Sequence, residues 1–216
     1  MTNQPAKYRP MVMSEAKYPL LAVSRLRMDG DGEGVTTLIA GKGCPLSCKY
    51  CINKEALTMH SMDVTAQELF DRVKCDDLYF QATGGGVTFG GGESLLHAAF
   101  IREFRTLCKH FWHIYAETSL YVPEKNVRIA SECVDGFIVD IKDMDPGIYK
   151  AYTGADNAQV LENLKLLLEL VGPEHILVRA PLIAHFNTEE DQKKSVQLLT
   201  GMGFTRFDRF SYVIRD

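Results

Sequence analysis

The chain has 216 residues, 46% of them apolar, and a formal net charge of −4. That length buries one sizeable core, so a single α/β domain is the default. The acidic balance and the lack of a basic block interleaved with aromatics argue against a nucleic-acid groove. No stretch approaches the apolar length of a membrane span, and residues 1–19 lack the apolar core of a signal peptide. A cytosolic, monomeric chain is expected, in which the six cysteines serve as metal or redox ligands or as packed thiols and not as a disulfide framework.

Residues 1–28 read as a mobile, polar N-terminal extension, and 29–216 as the core domain. Val35-Thr36-Thr37-Leu38-Ile39-Ala40 reads as a buried strand that ends at glycines before a cysteine-bearing loop. Thr65-Ala66-Gln67-Glu68 is a capping box opening a helix to about residue 74. Further strands are expected at 86–89, 113–116, 136–141, 176–180 and 207–214. Helices are expected at 94–109, after Pro123, over 161–170 (stopped by Gly172-Pro173) and at 188–200. Strands alternating with helices give parallel βα units. A closed eight-fold barrel takes about 250 residues, so an open, six-stranded partial TIM-like (β/α) barrel is expected. Glu117, Asp140, Lys142 and Arg179 then fall at the C-terminal ends of successive strands, the rim that builds active sites in α/β barrels. For Asp140 and Lys142 a solvated charged loop is the plain alternative.

Cys44, Cys48 and Cys51 follow a Cys-x3-Cys-x2-Cys spacing. Three thiolates so placed can hold three irons of a cubane cluster and leave the fourth without a protein ligand. An open metal position marks a catalytic site rather than a closed structural one. A zinc site with a distant fourth ligand, or three unrelated thiols, are the alternatives that spacing leaves standing. Cys75, Cys108 and Cys133 are scattered and read as packed residues, the last two in helices. Tyr50, between two of the candidate ligands, reads as a packing shield for the cluster. Gly91-Gly92-Glu93 follows a strand one βα unit after the cysteine loop, where glycine lets backbone approach a ligand.

These segments together resemble the glycyl-radical-enzyme activating enzymes, the pyruvate formate-lyase activase group of the radical S-adenosylmethionine (SAM) superfamily. Asp31-Gly32-Glu33-Gly34 is similar to that family's Asp-Gly-x-Gly, and Asn53 matches the asparagine beyond the last cysteine. The run from Gly84 to Glu93 resembles its Gly-Gly-Gly-Val-Thr-x-Ser-Gly-Gly-Glu, with Gly90 in place of serine. Glu117-Thr118 stands for its Asp-Thr, Asp140-Ile141-Lys142 for its Asp-x-Lys, and Tyr152-Thr153-Gly154, Leu161-Glu162-Asn163 and Val178-Arg179 echo later segments. Val213 stands where the family has a histidine near the adenosine.

The resemblance implies one [4Fe–4S] cluster on Cys44, Cys48 and Cys51, with no auxiliary cluster. It implies SAM held by Asn53, Gly91, Gly92, Glu93, Glu117, Thr118, Asp140, Lys142 and Arg179, and a monovalent cation beside it on Glu117-Thr118 and Asp140. One electron from the cluster would cleave SAM to methionine and a 5′-deoxyadenosyl radical, which abstracts hydrogen from a glycine of a partner glycyl-radical enzyme. Asp31 and Arg179, with the loop 182–187, would grip that glycine-bearing segment, and a flavodoxin or ferredoxin-type protein would supply the electron. A radical SAM enzyme acting on a small molecule or peptide is the second reading. A non-catalytic iron–sulfur protein is the third.

Overall fold

Runs rich in Val, Ile and Phe become buried strands, and helices with one apolar face cover them. The computed structural model describes residues 16–212. In chain order its strands and helices are β1 (Tyr18–Arg27), β2 (Thr36–Gly41), α1 (Lys54–Thr58), β3 (Met62–Val64), α2 (Ala66–Val73), α3 (Asp77–Thr83), β4 (Gly86–Gly91) and α4 (Ala98–Leu107). There follow β5 (His113–Thr118), α5 (Glu124–Ser131), β6 (Gly136–Asp140), α6 (Pro146–Thr153), α7 (Ala158–Val171), β7 (Ile176–Leu182), α8 (Glu189–Met202) and β8 (Arg206–Ser211).

Among the described residues all eight strands form one sheet in the order β3-β1-β2-β4-β5-β6-β7-β8. From β2 to β8 every neighbouring pair is parallel. β3 and β8 are edges, so the sheet is an open partial barrel. The strand ends of β2, β4, β5, β6 and β7 gather on one rim, as the alternating pattern leads one to expect. The end of the sixth expected strand, and with it Val213, lies outside the described residues.

Two strands go beyond the six expected. Tyr18–Arg27 falls in the segment read as a mobile extension, yet it pairs antiparallel with both β2 and β3. Tyr18 is fully buried, with its ring 5.0 Å from Phe100 and 5.7 Å from Phe89. The period-two signal of β1 is broken by Pro19, by register shifts at Leu20/Ala22 and Ser24/Arg27, and by a positive φ at Leu26. Its side chains therefore do not alternate cleanly, and pattern reading passes over it. The helices α1, α3 and α6 were also not expected.

The core lies between the sheet and its helices. Phe80 and Phe70 pack on Trp112 at 4.9 and 5.4 Å, and Phe89 meets Phe104 edge-on at 5.4 Å. Buried Asp76 binds the edge to the core: it accepts from Arg25 Nε at 3.0 Å and from Thr37 Oγ1 at 2.7 Å. The expected capping box is present, with the Glu68 N–H donating to Thr65 Oγ1 at 3.2 Å and the Thr65 N–H to Glu68 at 2.8 Å. Thr188 and Asp191 form a second one at the start of α8.

Cys108 caps α4, and Cys133 lies just beyond α5; burial pushes both thiols up to about 12. Cys75 is exposed. Alkylation acts on the thiolate. Iodoacetamide at mildly alkaline pH should therefore label Cys75 on the folded chain and leave Cys108 and Cys133 until denaturant is added. Peptide mass mapping checks this; early labelling of Cys133 would contradict the packing described.

Candidate active site

The loop carrying Cys44, Cys48 and Cys51 leaves the C-terminal end of β2, and its backbone lies against that of the next strand's loop. Gly92 N–H donates to Gly41 O at 3.0 Å, and Glu93 N–H donates to Gly43 O at 2.8 Å. A Cβ on Gly92 would collide with the Gly43 carbonyl, and one on Gly91 would stand 3.0 Å from Ala40 Cα. Gly91 also has φ +91, where a side chain is strained. These glycines thus bring two loops into contact with each other. Asn53 fastens the same junction, its Nδ2 donating to Gly91 O at 2.7 Å.

The junction opens on a cavity of about 180 Å3 at the strand-end rim. Cys44, Cys48 and Cys51 line it together with Asn53, Gly91, Gly92, Glu93, Glu117, Thr118, Asp140, Lys142 and Arg179. Every candidate cluster and SAM residue read from the sequence therefore meets in one place. Leu46, Ile52, Ser119 and Tyr212 complete the lining. Asp31 does not line the cavity. It is buried, pairs with Arg27, and accepts the Thr88 hydroxyl on its carbonyl.

Glu93 faces inward. Its carboxylate accepts from Leu95 N–H at 3.1 Å, Thr118 Oγ1 at 2.6 Å, Ser119 N–H at 2.8 Å and Ser119 Oγ at 2.6 Å. That fills the acceptor capacity of a carboxylate. Burial pushes its pKa up, and the Ser119 and Thr118 bonds pull against that rise. Glu93 therefore locks the turn after β5 to the turn after β4. Ser119, absent from the residues singled out in the sequence, supplies two of those four bonds.

Asp140, at the end of β6, has two unlike oxygens. Oδ2 accepts from Lys142 Nζ, which also donates to Tyr212 Oη at 2.7 Å. Oδ1 is buried with no partner among the described residues. A buried acceptor left open in a cavity is the mark of a site built for a donor. Lys142 is 7% exposed; burial pushes its pKa down, but Asp140, Tyr212 and Cys48 more than reverse this, and it stays charged. Burial likewise pushes Cys44 up and Cys48 up to about 11, with the Lys142 charge opposing both shifts.

In the middle of β7, which runs past the expected end at 180 to Leu182, Arg179 donates to Glu117 Oε1 at 2.8 Å and to the Gly30 carbonyl, and its Nε stands 3.6 Å from Asp208. The guanidinium is thus largely engaged by the chain itself. A Cβ on Gly90 would collide with Glu117 Oε2. Two departures from the family pattern, Gly90 for serine and Glu117 for aspartate, therefore touch: the absent side chain makes room for the longer acid.

The sequence profile described as the Radical SAM superfamily matches residues 38–199. The (2S)-3-sulfopropanediol dehydratase activating enzyme of Klebsiella oxytoca is 34% identical, over 74% of this chain and 69% of that protein. The choline trimethylamine-lyase activating enzyme of Oleidesulfovibrio alaskensis is 26% identical, over 85% and 78%. The pyruvate formate-lyase 1-activating enzyme of Escherichia coli K12 is 33% identical, over 63% of this chain and 57% of its own length. In fold, Streptococcus suis SuiB superposes with a TM-score of 0.61 at 15% identity, over 80% of this chain and 38% of that one. The chain belongs to the radical SAM superfamily, within its glycyl-radical-enzyme activating-enzyme family.

A [4Fe–4S] cluster and SAM are the cofactors of that family, and the cavity fits them. Its donor set is three thiols on one loop beside an open carboxylate oxygen. Among the described residues no group of His, Cys, Asp or Glu side chains is gathered tightly enough for one metal ion. Three cysteines on one loop match the ligand count of a cubane that leaves one iron open, whereas a structural zinc takes four protein ligands.

The contact between positions 90 and 117 gives a measurable coupling. Gly90→Ser overpacks the Glu117 carboxylate, at a cost of about 1–3 kcal/mol. Adding Glu117→Asp should recover part of that loss, with a coupling of about 0.5–3 kcal/mol in a double-mutant cycle by denaturant unfolding. Additive single effects would mean the two positions do not touch.

Proposed function

We propose that this chain uses its cluster and SAM to generate a glycyl radical on a partner enzyme. The observation that carries the proposal is the convergence of Cys44, Cys48 and Cys51 with the open Asp140 Oδ1 and the glycine junction in one rim cavity. The relatives named as activating enzymes support the direction of the chemistry. Bound together, the cluster and SAM supply one-electron cleavage of a carbon–sulfur bond and, through it, abstraction of a hydrogen atom.

The residues then divide the remaining work. Cys44, Cys48 and Cys51 hold three irons as thiolates, so metal loading releases protons, and burial raises the cost of that for Cys44 and Cys48. The Lys142 ammonium stands close to Cys48 and favours the thiolate. Asp140 Oδ1 offers an acceptor to the SAM amino group, while Oδ2 stays occupied by Lys142. Glu117 and Arg179 form the far wall, with Arg179 tying it to the Gly30 carbonyl and so to Asp31. The remaining guanidinium donors and the peptide groups beside Asp31 suit recognition of a glycine-bearing segment, which offers only backbone to hold. The loop after β7 is braced for this: Asn187 accepts from Ile183 N–H at 2.6 Å and donates to Asp143 at 3.0 Å. Glu117, Thr118 and Asp140 remain the candidates for a monovalent cation, although Thr118 is already spent on Glu93. A flavodoxin or ferredoxin-type donor in the cytosol completes the electron supply. No helix among the described residues is long and apolar enough to cross a membrane.

Two measurements test this. Anaerobic reconstitution should give about four irons per chain, lost in Cys48→Ala and kept in Asp140→Ala, which should instead bind SAM more weakly by calorimetry. Reduced protein with SAM and a glycyl-radical partner encoded in the same genome should give a glycyl doublet by EPR. SAM cleavage without a doublet, together with deuterium transfer from a labelled metabolite into 5′-deoxyadenosine, would instead establish a small-molecule target.

A further inference from the structure

Tyr212 completes the cavity lining from the end of β8. It follows Ser211, the last residue of that strand, and its N–H donates to Leu182 O at 2.9 Å, so the pairing with β7 continues to the rim. Its ring stands 5.5 Å from Phe210 and 6.1 Å from Tyr152. Its hydroxyl accepts from Lys142 Nζ, a second lining residue, at 2.7 Å, and the ammonium lies 5.3 Å from the ring centroid. Backbone, ring and hydroxyl are therefore each held, and the phenol has a fixed place in the wall.

An ammonium group only donates, so Tyr212 Oη is the acceptor in that bond and its own hydrogen is left for another partner. No acceptor among the described residues takes it. Accepting from a cation also polarises the O–H bond and makes the hydroxyl a stronger donor. Burial and the Asp140 charge raise the phenol, with Lys142 opposing, so the hydroxyl keeps its hydrogen at neutral pH. We propose that Tyr212 is a SAM-binding residue, whose hydroxyl donates to an oxygen acceptor of SAM, on the carboxylate or the ribose. Lys142 works beside it: Asp140 Oδ2 and Tyr212 Oη take two of its three N–H donors, and the third remains for the same ligand. Phenylalanine at 212 would keep the ring contacts and lose only the donor. The inference rests on the reading of this cavity as the SAM site.

The test is calorimetric titration of SAM into reconstituted wild type, Tyr212→Phe and Tyr79→Phe, the last a control whose ring is exposed on α3. Tyr212→Phe should carry the wild-type iron content and bind SAM roughly tenfold more weakly. The control should bind as wild type does. Decarboxylated SAM, titrated in the same way, then locates the acceptor: an equal loss in Tyr212→Phe assigns it to the ribose, and no loss assigns it to the carboxylate. Equal SAM affinity in wild type and Tyr212→Phe would overturn the inference. Should Tyr212→Phe fail to load iron, infrared difference spectra of wild type carrying ring-labelled tyrosine decide. A tyrosine C–O stretch that shifts when SAM binds is the expected result, and an unchanged stretch means no such bond. A wild type that loads iron but does not bind SAM would instead refute the reading of the cavity.

Discussion

Gly92 and Glu93 lend their backbone N–H groups to the carbonyls of Gly41 and Gly43, and the cavity depends on that contact. It holds the root of the cysteine loop against the end of the neighbouring parallel strand, so the thiols and the β4 turn share one rim. The contact is possible only because position 92 has no side chain. Each neighbouring feature adds to the same junction. Asn53 closes it from beyond the last cysteine, His97 meets the Lys42 carbonyl at 3.1 Å, and the buried Tyr18 fills the space beside Gly41. β1 is therefore more than an edge: Lys42 N–H donates to Pro19 O at 2.9 Å, so the strand reaches the foot of the loop directly.

Charge in the cavity is arranged to leave one acceptor open. A buried carboxylate and a buried ammonium each cost several kcal/mol to desolvate, repaid only by good geometry and further hydrogen bonds. Lys142 meets both conditions through Asp140 Oδ2 and Tyr212 Oη. Glu93 meets them with four donors. Asp140 Oδ1, though buried, has no donor among the described residues. The contrast between a saturated Glu93 and a half-used Asp140 separates a residue that holds the scaffold from one free to hold a ligand.

Much of this was legible in the sequence, and the reasons are local. β2, β4, β5, β6 and β7 are short apolar runs bounded by glycine or polar turns, so period and punctuation locate them within a residue or two. Glu117 and Asp140 follow from their place at strand ends, whereas β7 continues past Arg179 to Leu182. β1 was not legible because its bulges and Pro19 spoil the alternation. α6 was hidden because its sequence reads first as a motif, Tyr152-Thr153-Gly154, although Asp145 caps it and Pro146 opens it in the ordinary way. The inward turn of the Glu93 carboxylate could not be read either. It depends on Thr118 and Ser119, which stand 25 and 26 residues away along the chain.

The departures from the family pattern at Gly90 and Glu117 look, one at a time, like two small losses. In three dimensions they form one unit: the side chain missing from β4 is the space that the longer acid on β5 occupies, and that acid reaches Arg179 on β7. Aspartate at 117 would be shorter by one methylene and would draw the carboxylate back from the guanidinium; serine at 90 would fill the space where the Glu117 carboxylate now lies. Arg179 then carries the link onward to Gly30, in the turn that holds Asp31. The Glu117–Arg179 wall of the cavity is thus set by a chain of contacts across three strands. A change in its reach requires compensation on the neighbouring strand, and here that compensation is a glycine.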